Sequence, residues 1–438
     1  MLRRSVVAAA VCTLSLFSEN ANAQTSSTLV GQMKDFFLQS VVISRTPGGG
    51  GVVAHTPVFV DDPSVTATTD LISQISQQIG SQVSIFPLGS SSGGFTYGYD
   101  AALGTFSRTT ETFGPAFAER AVTIGKGKFA FGLNYEHSKY NSLDGRDLET
   151  GAITFNLFHQ KLTPPSFVEG DVIQSALLMK LKSDTAVFLV NYGVTNRLDV
   201  GFAIPVVHVS MDLTYHATIL DYATRVVSPT THLFANGTKT QDFNTTGSAS
   251  GVGDIVVRGK YKLFDSAKGG VAAGLDIRLP SGDEANMLGT GSTQTQLFFI
   301  GSGVSGKTSP HINIGYTFST GGSNPSDQVN YVGGVETRVN PKVTVVGDLI
   351  GRTLRSSLRL SDASLPHIYQ QGAGAPIEQT TLQTIALSEG SLTSALAAVG
   401  VKVNPWRNLL VSAHLLFPLN DSGLRSGVTP VVGFDYSF

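Results

Sequence analysis

The C-terminal segment, residues 428–438, alternates between two kinds of side chain, and no other feature restricts the fold as strongly. One face carries Val428, Pro430, Val432, Phe434, Tyr436 and Phe438, and the other carries Thr429, Val431, Gly433, Asp435 and Ser437. A period of two is that of a β-strand whose faces meet different surroundings. We therefore expect residues 428–438 to form a strand with one face toward lipid, which ends at the aromatic Phe438.

The same alternation recurs upstream, and it predicts an all-β chain. We predict twelve strands, at residues 117–138, 172–194, 198–215, 251–264, 269–279, 295–306, 309–319, 327–339, 342–354, 392–404, 407–419 and 428–438. The second of these also fits a hairpin folded at Ser183 and Asp184.

The connections between consecutive predicted strands alternate strictly between short and long. The short ones are residues 195–197, 265–268, 307–308, 340–341 and 405–406, and the long polar ones include 139–171, 216–250, 280–294 and 355–391. Short turns on one rim, long loops on the other and an even strand number are typical of outer-membrane barrels. We predict a transmembrane antiparallel β-barrel over residues 117–438, with its short turns on the periplasmic side.

Residues 1–23 have the composition of a cleavable secretory signal. Arg3 and Arg4 precede the apolar stretch 6–17, and the small residues 21–23 suit a cleavage site. The only cysteine, Cys12, lies inside this segment, so the mature chain has neither a disulfide nor a thiol nucleophile. A secreted chain with 14% charged residues and no long apolar run fits a closed barrel in the outer membrane, and nothing indicates nucleic acid.

Residues 24–116 differ in composition from the predicted barrel. They contain the glycine run Gly48–Gly51, an amphipathic helix near Asp70–Val83 and a glycine-rich stretch over residues 88–99. Two interpretations stay open for this segment: a mobile periplasmic or lumenal extension, and a plug inside the barrel.

The charged residues within the predicted strands fall on the face opposite the apolar stripes. An arginine or lysine at the bilayer midplane costs about 2–4 kcal/mol, so these charges must point inward. The candidates for lining the lumen are Arg258, Lys260, Asp276, Arg278, Glu336, Arg338, Asp348 and Arg352. If Val271 faces Leu263 across the turn, Arg258 faces Asp276. Such a pair fits two interpretations, a charge-paired interior and a polar step along a substrate path. The two interpretations are compatible.

Signals for catalysis are weak. Glu136-His137 lacks a second histidine at helical spacing and lies on a predicted strand, and Gly251-Val252-Gly253 lacks the third glycine of a dinucleotide site. No Gly-x-Ser-x-Gly nucleophile elbow connects a predicted strand to a helix. We predict no enzyme, no cofactor and no metal site.

Two stretches resemble a known family. Residues 251–263, followed by Leu-Pro-Ser-Gly-Asp at 279–283, and residues 192–201, followed by Ile204-Pro205, are similar to motifs of the phenol meta-pathway (MetA-type) outer-membrane transporter family. The resemblance implies a passive channel for small, often hydrophobic or aromatic molecules, similar to fatty-acid and hydrocarbon porins. It identifies no substrate residues.

The C-terminal strand also resembles the general assembly signal of outer-membrane barrels. The expected partners are therefore outer-membrane lipid, a small-molecule solute and the barrel-assembly machinery. The alternatives are an outer-membrane structural or surface-binding barrel that acts through loops 216–250 and 355–391, and a barrel hydrolase.

Overall fold

A computed structural model of the chain describes residues 28–40, 59, 63–85, 87–90, 94, 96–100, 105–108, 110–159, 170–222, 232–322, 325–371 and 375–438. The predicted signal segment, Cys12 and the run Gly48–Gly51 lie outside the described residues.

The described chain contains two N-terminal helices and a large antiparallel sheet. The helices are α1 (Leu29–Gln39) and α2 (Pro63–Val83), and a short 3₁₀ helix spans Glu284–Asn286. A separate hairpin is formed by β1 (Tyr97–Asp100) and β2 (Thr105–Arg108). The barrel wall consists of β3 (Phe129–Leu143), β6 (Val172–Gly193), β7 (Leu198–Leu220), β9 (Val256–Ser266), β10 (Gly269–Arg278), β11 (Ser292–Gly303), β12 (Thr308–Gly321), β13 (Gln328–Asn340), β14 (Val343–Gln370), β15 (Ile377–Trp406), β16 (Leu409–Pro418) and β18 (Thr429–Ser437). Four further strands extend the wall: β4 (Arg146–Asp147), β5 (Ile153–Phe158), β8 (Thr240–Val252) and β17 (Leu424–Ser426).

The wall closes on itself through β3. This strand pairs with β18 on one side, where Leu133 faces Phe434, and with β6 on the other, where Leu133 faces Phe188. Every other wall strand pairs antiparallel with its neighbours along the chain. The twelve-stranded closed antiparallel barrel predicted from the sequence is therefore confirmed.

Two strand predictions differ from the structure near the start of the wall. The first wall strand begins at Phe129 and not at residue 117, because backbone N–H groups of the preceding residues donate to side chains of the barrel interior instead of a ladder. Residues 172–193 form one continuous strand, and Ser183 and Asp184 keep their partners in both neighbouring strands. The alternative of a hairpin at these two residues is wrong.

The predicted long loops are partly strand. β14 continues to Gln370 and β15 begins at Ile377, so most of the predicted loop 355–391 is a long hairpin. Within the predicted loop 216–250, residues from Thr240 onward form β8, which pairs with β7. The predicted strand 251–264 divides after Val252, and β9 starts at Val256. The outward residues of these extensions are mostly polar, and therefore no continuous apolar stripe revealed them.

A belt of exposed apolar residues surrounds the barrel near its short-turn end. On β18 the outward residues Val432, Phe434 and Tyr436 are 44%, 49% and 37% exposed, whereas their neighbours Val431 and Asp435 are buried. Other members of the belt are Phe129, Phe131, Tyr192, Phe202, Ile204, Leu275, Leu297, Phe299, Ile312, Ile314, Leu349, Val399 and Leu415. The two faces predicted for the C-terminal strand are confirmed, and the belt is the surface that a barrel presents to lipid.

Between this belt and the long-loop end of the barrel, which we call the region above the belt, the polar and apolar faces of the wall are exchanged. On the upper parts of β6 and β7 the exposed outward residues are polar, for example Lys180, Lys182 and Asp212, and the inward residues are apolar. The buried inward residues are Leu177, Met179, Leu181, Val209, Met211, Leu213 and Tyr215. The outer surface at this level suits water, and the inner surface needs an apolar partner.

The helices α1 and α2 provide that partner. Phe37 of α1 packs edge-to-face on Tyr215 with ring centroids 5.4 Å apart, and the Tyr215 hydroxyl donates to the carbonyl of Met33 at 3.0 Å. Ile72, Ile75 and Ile79 of α2 are buried in the same cluster. The predicted amphipathic helix near Asp70–Val83 is confirmed and starts earlier, at Pro63. We call α1 and α2 together the helical cap, since they fill the interior at the long-loop end.

The belt makes a testable prediction about membrane insertion. Phe434→Arg places a cation in the middle of the belt, and we expect it to reduce the free energy of unfolding in lipid vesicles by about 2–4 kcal/mol. The matched control is Ser248→Arg, at an exposed outward position above the belt. Urea titration of both variants should show a lower free energy of unfolding for Phe434→Arg alone. Equal stability of the two variants would contradict the position assigned to the belt.

Candidate functional site

Residues 112–124 cross the interior at the short-turn end, and we call them the lower segment. Asp348 of β14 accepts hydrogen bonds from the backbone N–H groups of Ala116 and Phe117, both at 3.1 Å. At the far end of the segment, Asp199 of β7 accepts one from the N–H of Ile124 at 3.1 Å. These side chains replace the ladder partners that the segment lacks, so its backbone can lie inside the barrel.

Glu119 attaches the lower segment to the wall through two cations. Its carboxylate lies 2.6 Å from Arg258 and 3.1 Å from Lys260, and the latter also lies 3.6 Å from Asp199. Glu119 and Lys260 are nearly fully buried. Buried charges need such compensation, because transfer out of water costs several kcal/mol for each ion.

The predicted contact between Arg258 and Asp276 is confirmed. The two residues are direct partners in the β9–β10 pairing, and the guanidinium donates two hydrogen bonds to the carboxylate, at 2.8 and 2.6 Å. The assumption that Val271 faces Leu263 was wrong by one residue, since Val271 faces Phe264. A bulge between Val271 and Ala272 restores the expected register for the rest of the pair.

A cavity of about 260 Å³, which we call the chamber, lies between the helical cap and the lower segment. Gln82 and Leu88 reach it from the cap side, and Phe117 and Glu119 from the lower segment. Its wall residues include Glu136, Tyr140, Arg258, Asp276, Arg278, Gln294, Phe298, Asn330, Ile350, Arg352, Leu396, Leu416 and Arg425. The chamber is therefore a compartment inside the barrel whose wall combines apolar surface with charged and polar groups.

The eight residues predicted to line the lumen all lie on the inner side of the wall, at three places. The chamber is bordered by Arg258, Asp276, Arg278 and Arg352. The lower segment is contacted by Lys260, Glu336 and Asp348. Arg338 forms an ion pair with Glu111 at 2.8 Å. The role of any of these residues in a substrate path stays a prediction.

Sequence reasoning missed Arg425, which belongs to the short strand β17. Its guanidinium donates to Ser394 and Asn420, at 2.7 Å each. β17 is three residues long and lies between β16 and β18, so no period-two pattern marked it. The nearby Pro418 and Asn420 indicated a turn at this point.

The residues considered for catalysis lie apart from one another. Glu136 faces the chamber, whereas His137 contacts Asp184 on the outer face at 2.7 Å. Among the described residues no group of three metal-ligating side chains meets. None of the helices in the described part of the chain is long and apolar enough to cross a membrane.

Comparison with known proteins supports the resemblance found in the sequence. The model of a family described as "Putative MetA-pathway of phenol degradation" matches residues 165–357, which span β6 to β13 and part of β14. The resemblance to the MetA-type family is confirmed by this match. No curated protein matches the chain.

Several solved structures are similar to this barrel. An outer membrane channel from Pseudomonas putida F1 is 13% identical, covers 73% of this chain and 98% of its own length, and has a TM-score of 0.43. A FadL homologue from Pseudomonas aeruginosa is 9% identical, with 72% and 90% covered and a TM-score of 0.30. The toluene transporter TbuX from Ralstonia pickettii is 13% identical, with 72% and 90% covered and a TM-score of 0.28.

The Glu119 contacts predict a large effect of one neutral substitution. Glu119→Gln keeps the shape of the side chain and removes the charge that Arg258 and Lys260 share, so we expect the barrel to lose about 3 kcal/mol of unfolding free energy. The control is Glu149→Gln, which breaks a more exposed ion pair with Lys139 and should change the stability by no more than about 1 kcal/mol. Denaturant titration measures both, and similar losses would show that Glu119 does not anchor the lower segment.

Proposed function

We propose that this chain, which resembles the MetA-type phenol-degradation family over β6 to β14, is an outer-membrane channel for passive uptake of small hydrophobic or aromatic molecules. In this proposal the barrel acts without a cofactor and without covalent chemistry. The secretory signal expected at residues 1–23 would direct the chain to the outer membrane.

The chamber is the observation that carries the proposal. A barrel without a transport role can fill its interior with side chains, as eight-stranded barrels do, whereas sixteen or more strands leave an aqueous channel. Twelve strands lie between these limits, and the interior here keeps a cavity of about 260 Å³. Ligand sites combine apolar walls with a few placed polar groups, as the chamber does. Its volume suits a small solute.

Passage through the barrel requires at least one of the two closures to move. The lower segment is held by buried ion pairs and hydrogen bonds, and the helical cap is held mainly by apolar contacts. We infer that residues 24–116 serve as a plug, in which the cap closes the chamber toward the long loops. The lower segment extends the closure beyond residue 116, to residue 124.

A surface-binding role is the second candidate, because the β14–β15 hairpin extends far beyond the belt. Its exposed apolar residues near the tip, Ile368 and Ile377, are 42% and 69% exposed. In a binding protein these residues would contact an external partner, and the barrel would serve as a membrane anchor.

Liposome swelling separates the two candidates. Vesicles that contain the refolded full chain should swell in small aromatic solutes faster than vesicles without protein, and more slowly in larger sugars. Equal rates with and without protein would contradict the channel and favour the surface-binding role. Boiled protein added to the same lipids is the control for nonspecific leakage.

A designed disulfide tests whether the helical cap moves. A Cβ atom built on Gly80 of α2 lies 3.8 Å from the Cβ of Met287 in the β10–β11 connection, which is the usual Cβ separation in a disulfide. We expect Gly80→Cys/Met287→Cys to have low conductance in planar bilayers when oxidised and to regain it on reduction. Deletion of residues 24–110 should raise conductance.

The single variant Gly80→Cys is the matched control and should not respond to reductant. If the double variant conducts equally in both redox states, and the deletion does not raise conductance, the cap is not the plug.

A further inference from the structure

We infer that the chamber selects solutes with a small apolar body and one anionic group, such as an aromatic carboxylate, and that Arg352 and Arg425 bind the anion. This inference deepens the proposed function, and it rests on that function for the route by which the solute reaches the chamber.

The arginines that border the chamber differ in how their charges are compensated. Arg258 contacts two carboxylates, those of Asp276 and Glu119, so its charge is neutralised within the protein. Arg352 makes no hydrogen bond or ion pair to any residue in the described part of the chain. The chamber therefore presents an arginine whose hydrogen-bond donors are available to a ligand.

Arg425 borders the same chamber as Arg352 and adds a second positive charge to it. The side chains to which it donates hydrogen bonds, Ser394 and Asn420, are neutral, and its Nε atom is buried with no hydrogen-bond partner among the described residues. The charges of Arg278 and Arg425 both act on Arg352. Like charges that border one cavity repel one another, and a bound anion would relieve the repulsion.

The shape of the guanidinium favours a carboxylate over a simple halide. Its N–H groups form a planar fork that binds both oxygens of a carboxylate at once. The four arginines that border the chamber outnumber its three carboxylates, Glu119, Glu136 and Asp276, and an excess of one charge in a cavity raises the local concentration of the opposite ion. The site formed by Arg352 and Arg425 thus suits a planar anion.

The rest of the chamber wall suits an apolar body. Phe298, Ile350, Leu396 and Leu416 border the same cavity as the two arginines. A cavity of about 260 Å³ has room for one small ring and its carboxylate, and little space for a long acyl chain.

Equilibrium dialysis with the detergent-solubilised full chain tests this inference directly. Radiolabelled benzoate should bind at least about tenfold more tightly than benzamide, which has nearly the same shape and no charge. Arg352→Gln should weaken benzoate binding about tenfold and leave benzamide binding unchanged. Arg352→Lys keeps the charge without the fork, and we expect an intermediate affinity.

The matched control is Arg359→Gln, which makes the same substitution on the same strand outside the chamber, where Arg359 lies 3.7 Å from Asp144. It should bind benzoate as the unchanged protein does. Heat-modifiable gel migration verifies that each variant is folded, and Arg425→Gln provides a second test if Arg352→Gln does not fold.

The outcomes separate this inference from the proposed function. If benzamide binds as well as benzoate, or Arg352→Gln behaves like Arg359→Gln, the anion site is wrong even when liposomes swell. If benzoate binding depends on Arg352 and no solute causes swelling, the anion site stands and the channel is wrong.

Discussion

The pairing of β3 with both β18 and β6 is the constraint on which the rest of the structure depends. An unpaired strand edge in hydrocarbon would leave backbone donors and acceptors unsatisfied, at several kcal/mol each, so a membrane sheet must close. Once the sheet is closed, the two faces of every strand are assigned to different surroundings. Side chains on one face meet lipid, and those on the other meet an interior of fixed size. The inward charges and the contents of that interior follow from closure.

The interior has two levels with opposite chemistry. Within the belt, the inner face is polar, and buried ion pairs such as Glu119 with Arg258 hold the lower segment against the wall. Above the belt the inner face is apolar, and α1 and α2 pack against it through residues such as Phe37. The chamber lies between these levels. Its position explains why it combines arginines with apolar surface.

Much of the barrel could be predicted from local patterns. The period of two identified all twelve wall strands, and the short turns identified which strands are neighbours. The ends of the strands were less predictable, because an apolar outer stripe marks only the part of a strand that meets lipid. β14 continues to Gln370 with an outer face suited to water. The inversion on β7, where the apolar side changes from Ile204 and Val206 to Val209 and Met211, was present in the sequence. It was the available signal that the upper interior is filled by apolar structure.

The sequence by itself determined which residues share a face, which strands are adjacent and that the strand charges point inward, since these depend on alternation and turn length alone. The pairing of Arg258 with Asp276 was also determined by the sequence, because the two residues lie on strands joined by one short turn. Only the tertiary structure decided which distant residues meet inside the barrel. Glu119 and Arg258 are 139 positions apart, and Arg425, on a strand too short to predict, borders the same chamber as Arg352. Closure of the sheet creates these contacts, and no local pattern encodes the distance across a lumen.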